Sequence, residues 1–208
     1  MPAHPADNEI RALSRRRFLK TGLLVAAGGV AVLGGTFAFL ARSPKDAQPV
    51  PETIRALAGN EYHLFVAVCA ASLPAEGNAE GLLPWTQLPL LAHIDELIAG
   101  VPSHARGDVA AALKLLDYST VLTHGKRFAD LDAAAAQDVL RDWNAGGEIK
   151  RAVSNLVRKL AYISYWRESA TWPAVDYEGP VAVKWGLERI GNAPLPAMYV
   201  RQNSTGSV

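Results

Sequence analysis

The sequence predicts an all-α protein, a single compact domain of about five helices behind an N-terminal signal or anchor helix. Three observations carry this expectation. From Thr53 onward apolar residues recur at three- and four-residue steps, the period of an amphipathic helix. No convincing alternating run of apolar and polar residues extends beyond about four residues, short of ordinary strand length. Half of the 208 residues are hydrophobic, enough to build a core and too many for a disordered chain.

The elements follow in order. Leu57, Leu64, Phe65 and Val68 form the apolar stripe of a first helix, with Glu61 and Ser72 close to it. Leu73-Pro74 and Glu76-Gly77 end that helix. A loop through Gly81, Pro84 and Trp85 leads to Pro89, which suits a first helical turn. Leu90, Leu91, Ile94, Leu97 and Ile98 make a second apolar face, closed by Gly100. Pro102-Ser103 open a third helix carrying Val109, Leu113, Leu116 and Val121. Phe128 to Asp132 reads as an entry turn, with Asp130 or Asp132 capping a helix over 133–144 that Gly146-Gly147 stops. Ile149, Val153, Leu156, Leu160 and Ile163 predict the longest helix, ending near Trp166. The helical domain is expected over 53–193, followed by a polar, flexible tail over 194–208.

Charge separates the chain into two parts. The total, 21 Lys+Arg against 20 Asp+Glu, is nearly neutral and argues against nucleic-acid binding as the main activity. Residues 1–41, however, carry a net +3, from Arg11, Arg15, Arg16, Arg17 and Lys20 against Asp7 and Glu9, which leaves the rest at −2. This leader contains Ser14-Arg15-Arg16-Arg17-Phe18-Leu19-Lys20, followed by 21 residues without a charge, Thr21 to Ala41. Ser14, Arg15, Arg16, Phe18, Leu19 and Lys20 stand where the twin-arginine export signal has its Ser, paired Arg, Phe, Leu and Lys. Such a signal is an address read by a translocase rather than a structural element.

The competing reading is a membrane anchor whose Arg cluster stays on the cytoplasmic side. At ~1.5 Å per residue, the uncharged stretch would reach ~31 Å as a helix, enough to span a bilayer core. Thr36-Phe37-Ala38 offers a small-x-small cleavage site, whereas Phe39-Leu40-Ala41 places a bulky residue where a small one is wanted. Cleavage and retention as an anchor therefore both stay open. Residues 42–52, with Pro44, Gln48 and Pro51, read as a linker. The expected location is the periplasm, reached by the twin-arginine pathway, with the N-terminal segment as the contact with the inner membrane.

The sequence contains no Gly-x-Gly-x-x-Gly, Gly-Lys-Ser/Thr phosphate loop or Gly-x-Ser-x-Gly. His63, His93, His104 and His124 include no pair three or four residues apart, the spacing that places two ligands on one helical face. In His93-Ile94-Asp95-Glu96 the imidazole and the acids point in different directions, as on a surface or half-buried helix face. Asp108 and Asp117 read as solvated helix charges. No catalytic, cofactor or metal site is expected in the chain. The single cysteine, Cys69, reads as a small buried hydrophobe; its functional alternative is a disulfide to another chain after export.

Six of the sixteen aromatic residues fall between Tyr162 and Trp185, a concentration that calls for a role. Pro173 and Gly179-Pro180 restrict the backbone there. Tyr165, Trp166, Trp172, Tyr177, Gly179 and Pro180 are accordingly candidates for binding a protein partner, since aromatics on a rigid loop make good hot spots. The same rings would equally serve to plug the helical core.

These residues, taken in order, carry a family resemblance. The leader, Leu73-Pro74, Phe128-Ala129-Asp130-Leu131, Leu140-Arg141-Asp142-Trp143, Tyr165, and Trp172-Pro173-Ala174-Val175-Asp176-Tyr177-Glu178-Gly179-Pro180 resemble the gluconate 2-dehydrogenase subunit 3 family. These are small subunits of membrane-associated FAD dehydrogenases. The resemblance spans roughly Thr53 to Pro180 plus the signal, and the stretch from Gly77 to Pro84 departs from the pattern. It implies a subunit with no cofactor of its own, which assists maturation of a large glucose–methanol–choline-type flavoprotein and carries it through the twin-arginine translocase. FAD is then expected in the partner, and a cytochrome c subunit often completes the complex. An export route for folded cargo suits a carrier of this kind. The competing expectations are a free-standing exported metal enzyme using His93 or His124, and a membrane-anchored structural protein that binds another exported complex.

Overall fold

The computed structural model describes residues 41–76, 78 and 81–186. Residues 1–40, 77, 79–80 and 187–208, which include the leader, the expected tail and the end of the expected domain, lie outside the described residues. The described chain is helical, with no strand. It divides into two compact units that meet between Glu168 and Ser169, inside the span 53–193 expected as one domain.

The first unit contains α1 (Gly59–Ser72), α2 (Leu90–Ala99), α3 (Ser103–Ser119), the single turn α4 (Val121–His124), α5 (Ala133–Ala145) and α6 (Glu148–Arg167). Short 3-10 turns at Pro44–Ala47, Trp85–Gln87 and Phe128–Asp130 punctuate it. α1 is the central helix. Leu64, Phe65, Val68 and Cys69 are all essentially inaccessible, and the helix is apolar around most of its circumference, as a helix packed on several sides must be. It packs against α2, α3, α5, α6 and the Phe128–Asp130 turn. Leu57, expected on this helix, instead lies in the preceding turn, buried, with the helix beginning two residues later.

α2 buries Leu90, Ile94 and Ile98, one residue per turn, and follows Pro89, which stands at its N-cap. α3 follows Pro102 and buries Ala112, Leu113, Leu116 and Asp117. Thr120 separates it from α4, so the expected stripe through Val121 crosses two helices rather than one. Of the two capping candidates for α5, Asp132 does the work, its carboxylate accepting from the Ala135 amide at 2.9 Å.

Sequence and structure differ most in α6. The expected stripe included Leu156, Leu160 and Ile163; the first two are half-buried and Ile163 is 45 % exposed. The buried face is Val153, Ser154, Val157, Ala161, Ser164 and Tyr165. Small side chains on that face let α6 close against α1, α2 and α5, and the larger aliphatics are displaced to the border. Ser154 donates to the Leu140 carbonyl of α5 at 2.9 Å, so its buried hydroxyl is satisfied.

The second unit, from Ser169, holds a 3-10 segment at Ser169–Val175 and a short turn, α7 (Val181–Lys184).

Candidate partner-binding surface

The expected export-signal residues Ser14, Arg15, Arg16, Phe18, Leu19 and Lys20 lie outside the described residues. Beyond the uncharged stretch that follows them, Ser43 to Ala47, expected as part of a linker, form a capped 3-10 turn fastened to the first unit. Ser43 donates to Asp130 at 2.7 Å, and the Lys45 ammonium donates to the Ala129 carbonyl. Asp46 accepts two bonds from the Arg127 guanidinium, at 2.8 and 3.1 Å. The same guanidinium sits 3.1 Å from Asp117, which also accepts the Ala129 amide.

Asp117 is thus a buried acid in an ion pair, not the solvated charge its sequence position predicts. Burial pushes its carboxyl above the ordinary range, outweighing the Ala129 amide and Arg127. Burial works against the charge on Arg127 as well, but Asp117 and Asp46 more than offset it and raise its pKa. No local pattern marks this network, because Asp46, Asp117 and Arg127 come from three separated segments.

The His93–Glu96 cluster disperses as the helix geometry predicts. His93 lies 3.2 Å from Glu168, Glu96 pairs with Arg167 at 2.7 Å, and Asp95 turns inward. Asp95 accepts the amides of Arg55, Ala56 and Leu57 at 3.0, 2.8 and 2.7 Å. Burial alone would raise its pKa, but these amides and Arg106 bring it below the usual carboxylate value. Of the remaining histidines, His63 is buried beside the Tyr62 ring, His104 is exposed, and His124 is exposed next to the Thr123 hydroxyl. Among the described residues no group of three or more His, Cys, Asp or Glu is placed to hold a metal ion. None of the described helices is long and apolar enough to cross a membrane.

Cys69 is wholly buried on α1, and burial pushes its thiol pKa up to about 12. Its setting is that of a small hydrophobic residue.

The aromatic candidates separate by role. Tyr165 belongs to the helical core, 1 % exposed, with its hydroxyl donating to the Leu83 carbonyl at 2.8 Å. That bond ties α6 to the irregular loop between α1 and α2, where Asn78 also bonds the backbone of Leu82 through its own amide. Trp166, next along α6, is 39 % exposed and stands edge-on to Tyr165. In the second unit Trp172 and Tyr177 pack edge to face at 5.1 Å, and the Tyr177 amide donates to the Trp172 carbonyl at 3.1 Å. Gly179 has φ +102, and a Cβ there would stand 3.0 Å from the Trp172 ring. Only glycine combines that backbone angle with so close a ring. Pro180 follows, exposed, ahead of α7. The Trp-Pro-Ala-Val-Asp-Tyr-Glu-Gly-Pro segment is therefore a self-packed loop with its rings in fixed positions, and Tyr177 is 46 % exposed.

Compared with protein-family models, curated proteins and solved structures, the chain matches none.

Proposed function

We propose that this chain is a non-catalytic small subunit that assists assembly of an FAD-dependent dehydrogenase of the glucose–methanol–choline type and carries it out of the cytoplasm by the twin-arginine route. The observation that carries this reading is the block Ser14-Arg15-Arg16-Arg17-Phe18-Leu19-Lys20 ahead of 21 uncharged residues. That address serves proteins that have already folded, commonly around a cofactor. Here it is joined to a chain whose sequence has neither a dinucleotide fingerprint nor a phosphate loop. A carrier for a flavin-bearing partner reconciles the two.

The resemblance to the gluconate 2-dehydrogenase subunit 3 family names the partner class. The fixed Trp172–Tyr177–Gly179 loop supports a docking role, since pre-positioned aromatics bind without the entropic cost of ordering them. Tyr165 serves the fold rather than the partner, given its burial and its bond to Leu83.

The test is co-purification. The chain is tagged and expressed with a flavoprotein that lacks a signal of its own, then recovered from the periplasm. The expected product is a complex showing flavin absorption, with the isolated small subunit inactive. Turnover or retained metal in the isolated subunit would instead favour an exported enzyme and contradict the proposal.

A further inference from the structure

A cleft of about 190 Å³ opens where α5 and α6 diverge beside the end of α1. Gln137, Arg141 and Asn144 line it from α5, one helical turn apart, and Arg158 and Tyr162 line it from α6. Every one of these side chains can donate a hydrogen bond, and no carboxylate is among the lining residues. Arg141 is held by Asp138 in an exposed pair, the kind that contributes little and exchanges readily. Arg158 forms no ion pair among the described residues. Its guanidinium donates to the neutral Tyr162 hydroxyl at 3.3 Å and lies 5.8 Å from the centre of that ring.

One hydrogen bond joins the two walls. Ser154 bonds the Leu140 carbonyl across α5 and α6 at 2.9 Å.

We infer that this cleft receives an acidic side chain of the partner protein, with the carboxylate held by Arg158 and flanked by Tyr162. The inference rests on the carrier reading above and specifies where the partner is held. A guanidinium fork with neighbouring amide donors matches a carboxylate in both charge and geometry. The volume favours a side chain over a free cofactor, because small-molecule sites run to about 300–1,000 Å³. The surroundings favour a protein segment: Tyr162 and Ile163 leave an apolar strip on α6, 37 % and 45 % exposed, next to the charge. Tyrosine and arginine side by side have the composition of an interface hot spot. Ala71, Ser72 and Asn144 come from the carbonyl ends of α1 and α5, so the carboxylate belongs toward Arg158 on α6.

The experiment measures flavin recovered per mole of tagged subunit for the native chain, Arg158→Glu, Arg158→Lys and Lys159→Glu. Lys159 is exposed and outside the cleft, so its reversal controls for net charge. The expected result is a fall of about tenfold or more for Arg158→Glu, partial recovery for Arg158→Lys and no change for Lys159→Glu. The melting temperature of the free subunit should be unaltered throughout. Undiminished flavin with Arg158→Glu overturns the cleft assignment while leaving the carrier reading intact. Absence of flavin with the native chain overturns the carrier reading, and this inference falls with it. A drop in the free subunit's melting temperature matching the loss of flavin would show that the cleft serves the chain's own packing, and would also reject the inference.

Discussion

Asp95 is buried, with three backbone amides directed at it. Burial alone would discourage its ionisation, but the amides and Arg106 bring its pKa below the ordinary value, so the folded state releases this proton more readily than the unfolded chain. Its contribution to stability is therefore complete above the unfolded aspartate pKa of about 3.9 and is lost as pH falls through the lower folded value. Asp117 works in the opposite sense, because a raised folded pKa means that its ionisation costs stability as pH climbs from the ordinary aspartate range to that value. Asp95→Asn is expected to lose roughly 1–3 kcal/mol at neutral pH, through amides left poorly satisfied, and to show a flatter acid limb. Urea unfolding at a series of pH values checks both. Cys69 supplies a second expectation at this scale. With its thiol pushed up to about 12 and inaccessible, it should resist thiol reagents in the native protein and react promptly once the chain is unfolded. Rapid native-state labelling would refute the buried placement. The sequence identified Cys69 as a member of an apolar stripe. It could not identify Asp117 as buried, because the partner that makes burial tolerable, Arg127, is brought to it only by the turn after α3.

At the scale of elements, periodicity located the helices well and their faces less well. α2 buries Leu90, Ile94 and Ile98 of its expected stripe, whereas Leu91 and Leu97 are half-buried at its border and Asp95 joins the buried face. α6 departs further, because the side it buries is chosen by close approach to several helices, and Ser154, Ala161 and Ser164 permit an approach that leucines would block. Hydropathy alone ranks Ile163 above Ser164, and packing reverses the order. The loop at Trp172 to Gly179 could be read as rigid from its prolines and glycine, but not which rings it would hold. The structure pairs Trp172 with Tyr177 and sets Gly179 beneath the Trp172 ring. Gly179→Ala should therefore loosen this loop by about 1–3 kcal/mol, from the strained backbone angle and the close ring. Limited proteolysis should cut faster within residues 169–180, while the thermal melting of the α1–α6 unit stays unchanged. Equal cleavage rates in the two proteins would show that the loop does not depend on that glycine.

For the whole molecule, the structure shows a helical body, and the proposed export address lies ahead of it in the sequence. Ser43, Lys45 and Asp46, just beyond the uncharged stretch, are fastened to Asp130, Ala129 and Arg127. On the proposed reading, a pull on the leader would reach the folded unit through the Asp46–Arg127 ion pair, half exposed on its Asp46 side, and through the bonds of Ser43 and Lys45. That arrangement suits a subunit whose signal must move a folded assembly, and it ties the central proposal to a single requirement: the partner leaves the cytoplasm only on this chain's signal. The most direct measurement replaces Arg15 and Arg16 together with Lys and follows the dehydrogenase activity of the signal-less flavoprotein in periplasm and cytoplasm. The account predicts that flavoprotein and small subunit both remain in the cytoplasm and that periplasmic activity is lost. Periplasmic activity equal to that obtained with the native signal would contradict it.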